Sequence, residues 1–358
     1  MSLLIGADDG VYKVEDLPFE SAELVLECGP NGRIKQLDPV SGVFVASTSG
    51  LYRSTDGGDS WDHLDVCGDE IWEVCALPDG TLFAGTDASS LYRSDNDGRN
   101  WTRVTSFDEI PSRDLWRSPI NPYGSRVRAM VNPPGNRERL VVGVEAGGIH
   151  VTEDAGNSWT EVCSPALERR VDDEPQDDVH QFFVLDRDTW IVPTGRLDVL
   201  SDEHGNATRG DAGLFLTEDG GATWTRLDRA GRDLNYPYSR EVLVHDGILY
   251  YCGSHTRPSY WREEGLNSAH TAMFESEDLG QTWEQVSFPG EPDELAMAWT
   301  VFEDRPVAGL GRFGTLEAGE FYTSGSKNDQ GRVIVRSDDG QWETAGILPH
   351  NVHAMLAL

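Results

Sequence analysis

One short stretch constrains this chain more than any other: Ser54-Thr55-Asp56-Gly57-Gly58-Asp59-Ser60-Trp61. It returns as TEDAGNSW from Thr152 to Trp159, as TEDGGATW from Thr217 to Trp224, and as SEDLGQTW from Ser276 to Trp283. Ser94 to Trp101 reads SDNDGRNW, with Asn96 in place of the aspartate, and Ser337 to Trp342 reads SDDGQW, two residues shorter. These are six copies of S/T-x-D-x-G-x-x-W in 358 residues. Spaced at roughly 40 to 65 residues, they mark an array of like units.

The segments between the copies share a grammar. In the second unit an apolar run, Ile71 to Leu77, precedes the turn Pro78-Asp79-Gly80. Thr81 to Gly85 and Ser90 to Ser94 follow, then the repeated turn and Trp101-Thr102-Arg103-Val104. That is four short strands, A to D, with the repeated turn between C and D. The runs are too short for helices and are rich in Val, Tyr and Phe between turn residues. Four-stranded units at this period are blades of a β-propeller. Six blades are expected at about 31–66, 67–106, 124–164, 178–229, 238–288 and 294–348. The ends supply a seventh: residues 1–30 give three strands, and 351–358 give a lone fourth that removes the open edges. The expectation is an all-β, single-domain, seven-bladed propeller over 1–358.

The repeated turn is first a hairpin device. The carboxylate at its third position (Asp56, Asp154, Asp219, Asp278, Asp339, and the amide of Asn96) is placed to accept backbone N–H bonds. The glycine two residues on supplies positive φ. The tryptophans (Trp61, Trp101, Trp159, Trp224, Trp283, Trp342) are expected to pack between neighbouring sheets. Full burial of each would contribute on the order of 4–6 kcal/mol as an upper bound. The turns therefore read as structural rather than as a calcium or carbohydrate site.

These turns resemble the Asp-box, or BNR, repeats of sialidases, sortilin-type receptors and the photosystem II stability/assembly factor family. The resemblance implies a propeller whose functional site lies away from the repeated turns, and either a binding role or sialidase-like glycoside hydrolysis.

Charge narrows the partners. The net charge is −33, with three lysines (Lys13, Lys35, Lys327) against 26 arginines. Evenly spread acid and few lysines point to a salt-adapted protein, and with the resemblance to a haloarchaeal one. Nucleic acid, which needs a basic footprint, is excluded as a partner. No apolar run is long enough to span a membrane, and the N-terminus lacks a basic leader, so a cytoplasmic, monomeric protein is expected. Five cysteines without metal-ligand spacing read as buried free thiols. No cofactor and no metal are expected.

Two features nominate a site. The loops between B and C are long in three units, at about Gly195–Gly213, Ser254–Thr271 and Arg312–Gly331, and long loops on a compact scaffold often carry function. They hold His204 and Trp261, and a D-to-A connection adds Tyr238. Along the A strands Arg33, Arg128 and Arg240 align, with Glu73 and Gln181 at equivalent places and His180 beside them. Sialidases grip a substrate carboxylate with three arginines, so that resemblance implies the same for these three. Without it, they pair with the chain's own carboxylates. The chain lacks the F/Y-R-I-P stretch of sialidases and has seven units rather than six. Asp178, His180, Asp202 and His204 offer metal-ligand atoms without a known metal spacing. With 62 acids no catalytic pair is singled out. The leading expectation is a scaffold binding a polar ligand, carbohydrate or protein at the long B–C loops. The alternative is a glycoside hydrolase with paired carboxylates.

Overall fold

A computed structural model describes residues 1–358 except 38–39, 41, 117–123, 163–176, 197–212, 229–233, 235, 256–269 and 313–329. The fold is a seven-bladed β-propeller of antiparallel four-stranded sheets. The closing sheet joins the two ends of the chain: Val352–Ala357 pairs with Leu3–Ala7, followed by Gly10–Val14 and Glu23–Glu27. Backbone bonds between Ser2 and Leu358 in both directions seal this edge.

The chain divides into two compact units, one chiefly Met1–Ile34 with Leu227–Leu358, the other Lys35–Asp198 with Leu214–Arg226. The first holds the closing sheet and two more: Val242–His245 with Ile248–Ser254, Thr271–Ser276 and Glu284–Val286, and Leu295–Phe302 with Arg305–Gly311, Gly331–Arg336 and Trp342–Leu348.

The second unit holds four sheets. Three of them have the A and B strands Asn31–Gln36 and Val43–Ser47, Ile71–Ala76 and Leu82–Thr86, and Val127–Val131 and Leu140–Val144. In the fourth sheet the A strand is broken into Asp177–Val179 and Phe183–Val184, both paired with Trp190–Arg196. His180, Gln181 and Phe182 occupy the break.

Cores form where one sheet packs on the next. Phe83, Leu91, Val127, Met130 and Val142 share one cluster, and Val141, Ile149, Val179, Trp190 and Val192 another. Strand B approaches the next A strand closely. A Cβ on Gly143 would stand 2.5 Å from Val179, so only glycine fits there.

The repeated turns close through local polar bonds. Ser54 Oγ donates to Asp56 Oδ1 (2.7 Å) and accepts from Gly58 N (2.8 Å). Asp56 also accepts from the backbone N–H of Asp59 and Ser60 and from the Ser60 hydroxyl. Asp154, Asp219 and Asp278 repeat this scheme with Ser158, Thr223 and Thr282. Asn96 keeps the acceptor role toward Ser94 Oγ and Asn100 N. In the short copy Asp339 takes the Ser337 hydroxyl and Gln341 N. Gly58, at φ 90°, adopts the left-handed conformation the turn needs.

The tryptophans divide into two groups. The indole N–H of Trp61, Trp101 and Trp224 donates to the carbonyl of Gly58, Gly98 and Gly221 in its own turn. Trp159, Trp283 and Trp342 reach the preceding blade, at Ser106 Oγ, Leu227 O and Glu275 Oε1. Only Trp342 is fully buried. The other five are half-buried, so their burial stabilises less than the upper bound for a wholly enclosed ring.

Candidate functional site

The ends of the strands opposite the repeated turns carry the unusual chemistry. In the Lys35–Arg226 unit three successive sheets deliver charged side chains there. Asp87 follows the B strand Leu82–Thr86, and Glu145 follows Leu140–Val144. Arg126 and Arg128 open the A strand of the sheet that carries Glu145. Asp178 and His180 come from the broken A strand of the fourth sheet.

Every one of these groups except Asp87 is buried. Glu145 is 0% exposed, His180 1%, Arg126 2%, Arg128 4% and Asp178 5%. Burying charge this deeply is costly unless partners are near. Arg128 Nη1 donates to Glu145 Oε1 at 3.1 Å, and Arg126 Nη1 stands 4.0 Å from Glu145 Oε2. Arg126 Nε donates to Asp87 Oδ2 at 3.0 Å. The face of Trp72 stacks on both guanidiniums, 4.3 Å from Arg126 and 5.5 Å from Arg128. Asp178 Oδ2 lies 3.0 Å from His180 Nε2. Gly195 stands beside that pair, and a Cβ there would fall 2.6 Å from Asp178 Oδ2.

Partnering is nevertheless incomplete. Glu145 Oε2 and Asp178 Oδ1 are buried without a hydrogen-bond partner among the described residues. The two acids respond oppositely to this setting. Burial pushes the Glu145 carboxyl up to about 7; Arg128 pulls it down and Asp178 pushes it further up. Burial also pushes Asp178 up, but His180 and the two arginines outweigh it and hold Asp178 below the usual carboxylate range.

The residues nominated from sequence fall as follows. Arg128 and His180 join this cluster. Arg33 and Arg240 belong to the other unit, where Arg33 Nη1 pairs with Glu241 Oε1 at 3.0 Å. Glu241 also receives the backbone N–H of Trp299 through Oε2. Tyr238 is buried and bridges Ser254 through the backbone. Glu73, at the A-strand position aligned with the arginines, pairs with Lys35 at 2.7 Å. His204 and Trp261 lie outside the described residues, as do most of the three long B–C loops and Asp202. Sequence reasoning missed Glu145 and Arg126 as site residues. The available signal was a lone acid closing the apolar run Leu140–Val144 at the same place as Asp87 in the preceding unit.

A metal-ligand set stands elsewhere. His245, Asp246 and Asp304, from A–B turns of two neighbouring sheets, place one ligand atom each within 4.8 Å of the others. Both carboxylates are exposed. Of the cysteines, Cys75 and Cys252 are buried thiols, Cys28 and Cys67 are half-buried, and Cys163 lies outside the described residues. Among the described residues no helix is long and apolar enough to cross a membrane.

Comparison with solved structures agrees on the fold. An ancestral GH74 enzyme superposes with a TM-score of 0.55 at 14% identity, covering 95% of this chain and 40% of that one. The GH74 enzyme of Niastella koreensis gives 0.56 at 13% identity, covering 88% and 45%. The chain thus spans less than half the length of these enzymes. YCF48 bound to D1 peptide gives 0.54 at 14% identity, covering 87% of this chain and 85% of that one. No curated protein matches the chain in sequence. The family model of the DUF6242 β-propeller domain matches residues 41–305, and the chain belongs to that family.

Proposed function

We propose that this propeller is a binding protein that holds a polar ligand or a protein partner at the loop-bearing strand ends of the Lys35–Arg226 unit. The observation that carries the reading is the deep burial of the charged groups there and their engagement with one another. A hydrolase needs two carboxylates able to touch the glycosidic oxygen and the sugar from opposite sides. Glu145 and Asp178 are 0% and 5% exposed, and Arg128 is committed to Glu145. Such a cluster makes a rigid platform more readily than a cleft. Arg33, held by Glu241, does not leave a guanidinium waiting for a substrate carboxylate. YCF48, which superposes over most of both chains, is a propeller seen with a bound peptide, and supports the same reading by analogy of fold.

The reading extends to the repeated turns as Asp-box repeats, supported by their shared hydrogen bonding. It takes the acidic composition as that of a salt-adapted, haloarchaeal, cytoplasmic protein acting as one monomeric domain. The test is affinity capture from a halophile extract in molar salt, run beside hydrolysis of a chromogenic glycoside panel. A saturable partner with no hydrolysis is expected.

A second reading rests on the opposed acidities of Glu145 and Asp178, the pattern of an acid and an ionised partner. It makes the chain a glycoside hydrolase. Turnover of any glycoside that disappears in Glu145→Gln would establish it and remove the binding reading.

A further inference from the structure

Among the described residues, the Glu145–Asp178 region holds more buried carboxylate oxygens than donors to meet them. Both side chains are acceptors when ionised, and each keeps one oxygen buried with no donor among the described residues. A buried acceptor left unmade costs about 1–3 kcal/mol, more when charged. Natural interiors rarely keep two such atoms in one cluster. A proton on one acid changes the account, because a protonated carboxyl is itself a donor.

We propose that Glu145 and Asp178 are a proton-responsive pair. On the acid side of neutrality Glu145 carries a proton, which turns its carboxyl from a second ionised acceptor into a neutral group able to donate. It trades that proton for a full ion pair with Arg126 and Arg128 as the solution turns alkaline. The geometry supports this division of roles. Asp178 has His180 at 3.0 Å, so it is the acid that stays ionised. Glu145 has one close cation, Arg128, while Arg126 waits at 4.0 Å and is shared with Asp87. Among the described residues, the charged and titratable groups facing Glu145 are Arg126 and Arg128 of its own sheet and Asp178 and His180 of the next. Asp87 of the preceding sheet acts on it through Arg126. Between them these groups leave Glu145 short of positive charge. Burial, first of all, and the charge of Asp178 raise the Glu145 pKa toward neutrality, and Arg128 and Arg126 offset this only in part.

The pair ties together three sheets of one unit, so its protonation state sets how firmly Arg126 is drawn from Asp87 toward Glu145. The device stands whether the unit binds a partner or hydrolyses a glycoside.

The sign of the effect on stability is fixed. The native protein keeps the Glu145 proton longer than the unfolded chain does. Stability from this group is complete below the ordinary value of 4.5 and is lost as pH rises through about 7. Glu145→Gln mimics the protonated form and escapes that loss. Urea unfolding of the full chain at constant high salt should show the folding constant of Glu145→Gln gaining on the parent. The expected gain is roughly a hundredfold between pH 4.5 and 8. Profiles that run parallel over this range overturn the proposal.

An independent readout needs no stability of the variant. Infrared difference spectra of the parent protein should show a protonated carboxyl band titrating near pH 7. The band should be missing in Glu145→Gln and should move to lower pH in Asp178→Asn, where the repelling charge is gone. No titrating band, or a band that survives Glu145→Gln, refutes it. Should Glu145→Gln fail to fold, a parent band that does not respond to Asp178→Asn refutes it equally.

Discussion

Two sets of carboxylates in this propeller behave in opposite ways. The repeated-turn acids lie at the surface and are over-supplied with donors. Asp56 accepts from two hydroxyls and two backbone N–H groups within its own eight-residue turn. Those bonds, the Ser60 hydroxyl first, hold it well below the usual carboxylate range. Glu145 lies at the other end of the strands, is wholly buried, and its carboxyl has, among the described residues, a single donor at hydrogen-bond distance, Arg128. Its pKa moves the other way, pushed by burial up to about 7. One set is satisfied by neighbours in sequence, the other by arginines 17 and 39 positions away, as in the Glu145–Arg128 and Asp87–Arg126 contacts. Local satisfaction makes a repeatable structural part. Long-range, incomplete satisfaction makes a place that answers to its charge state.

The contrast is tested most strongly by removing the one close cation of the buried set. Arg128→Met leaves Glu145 without its hydrogen-bonded partner in a site that water does not reach. Breaking a buried pair from one side costs about 3–5 kcal/mol. Urea unfolding at pH 8, where Glu145 is ionised, is expected to show that loss, with a smaller one at pH 5, where Glu145 keeps its proton. A loss equal at both pH values would mean that Arg128 acts through packing on Trp72 alone.

A middle-sized effect is expected in the repeated turn itself, at the hydroxyl rather than the acid. Ser54 is 1% exposed, and its Oγ takes the backbone N–H of Gly58. Ser54→Ala leaves that buried N–H without an acceptor, at a cost of about 1–3 kcal/mol. Thermal and urea unfolding should register it at any pH from 5 to 8, because no titrating group is removed. A dependence on pH in that range would break the division between the two ends of the strands.

The same division explains what was legible in the sequence. The turn grammar is local, so the seven sheets, the closing strand and the donors around Asp56 followed from spacing and residue type. The break in the A strand at His180–Phe182 did not follow. The run Val179–Leu185 reads as one strand, and only its pairing with Trp190–Arg196 in two pieces shows the interruption. Arg128 was visible as an aligned charge on an A strand, and His180 as the neighbour of the aligned Gln181. Glu145 was one of 62 acids until the fold set it against Arg128 and Asp178. Its role depends on three sheets meeting, which no window of sequence contains. The expected parallel among Arg33, Arg128 and Arg240 was an alignment of strands. The partners of those strands differ: Arg33 has Glu241 and Arg128 has Glu145.

The smallest expected effect comes from the acid that the repeat makes most conspicuous. The second turn already carries Asn96, whose Oδ1 accepts from Ser94 Oγ and Asn100 N as Asp56 Oδ1 does from Ser54 Oγ and Ser60 N. Asp56→Asn can therefore keep the backbone bonds of its turn, and its new amide faces the Ser60 hydroxyl, which can accept. At neutral pH the melting temperature should barely fall. The charge still matters in one window. A carboxylate held low contributes stability that is present above its ordinary value of 3.8 and lost as pH falls through the lower folded value. The parent should thus hold a slight advantage over Asp56→Asn near pH 6 that vanishes on acidification below about 4. Melting curves from pH 2 to 7 at matched high salt, which screens the change in net charge, measure it. A penalty at neutral pH as large as that of Arg128→Met would show the turn carboxylate serving something beyond its own hairpin, and the two sets of acids would no longer stand apart.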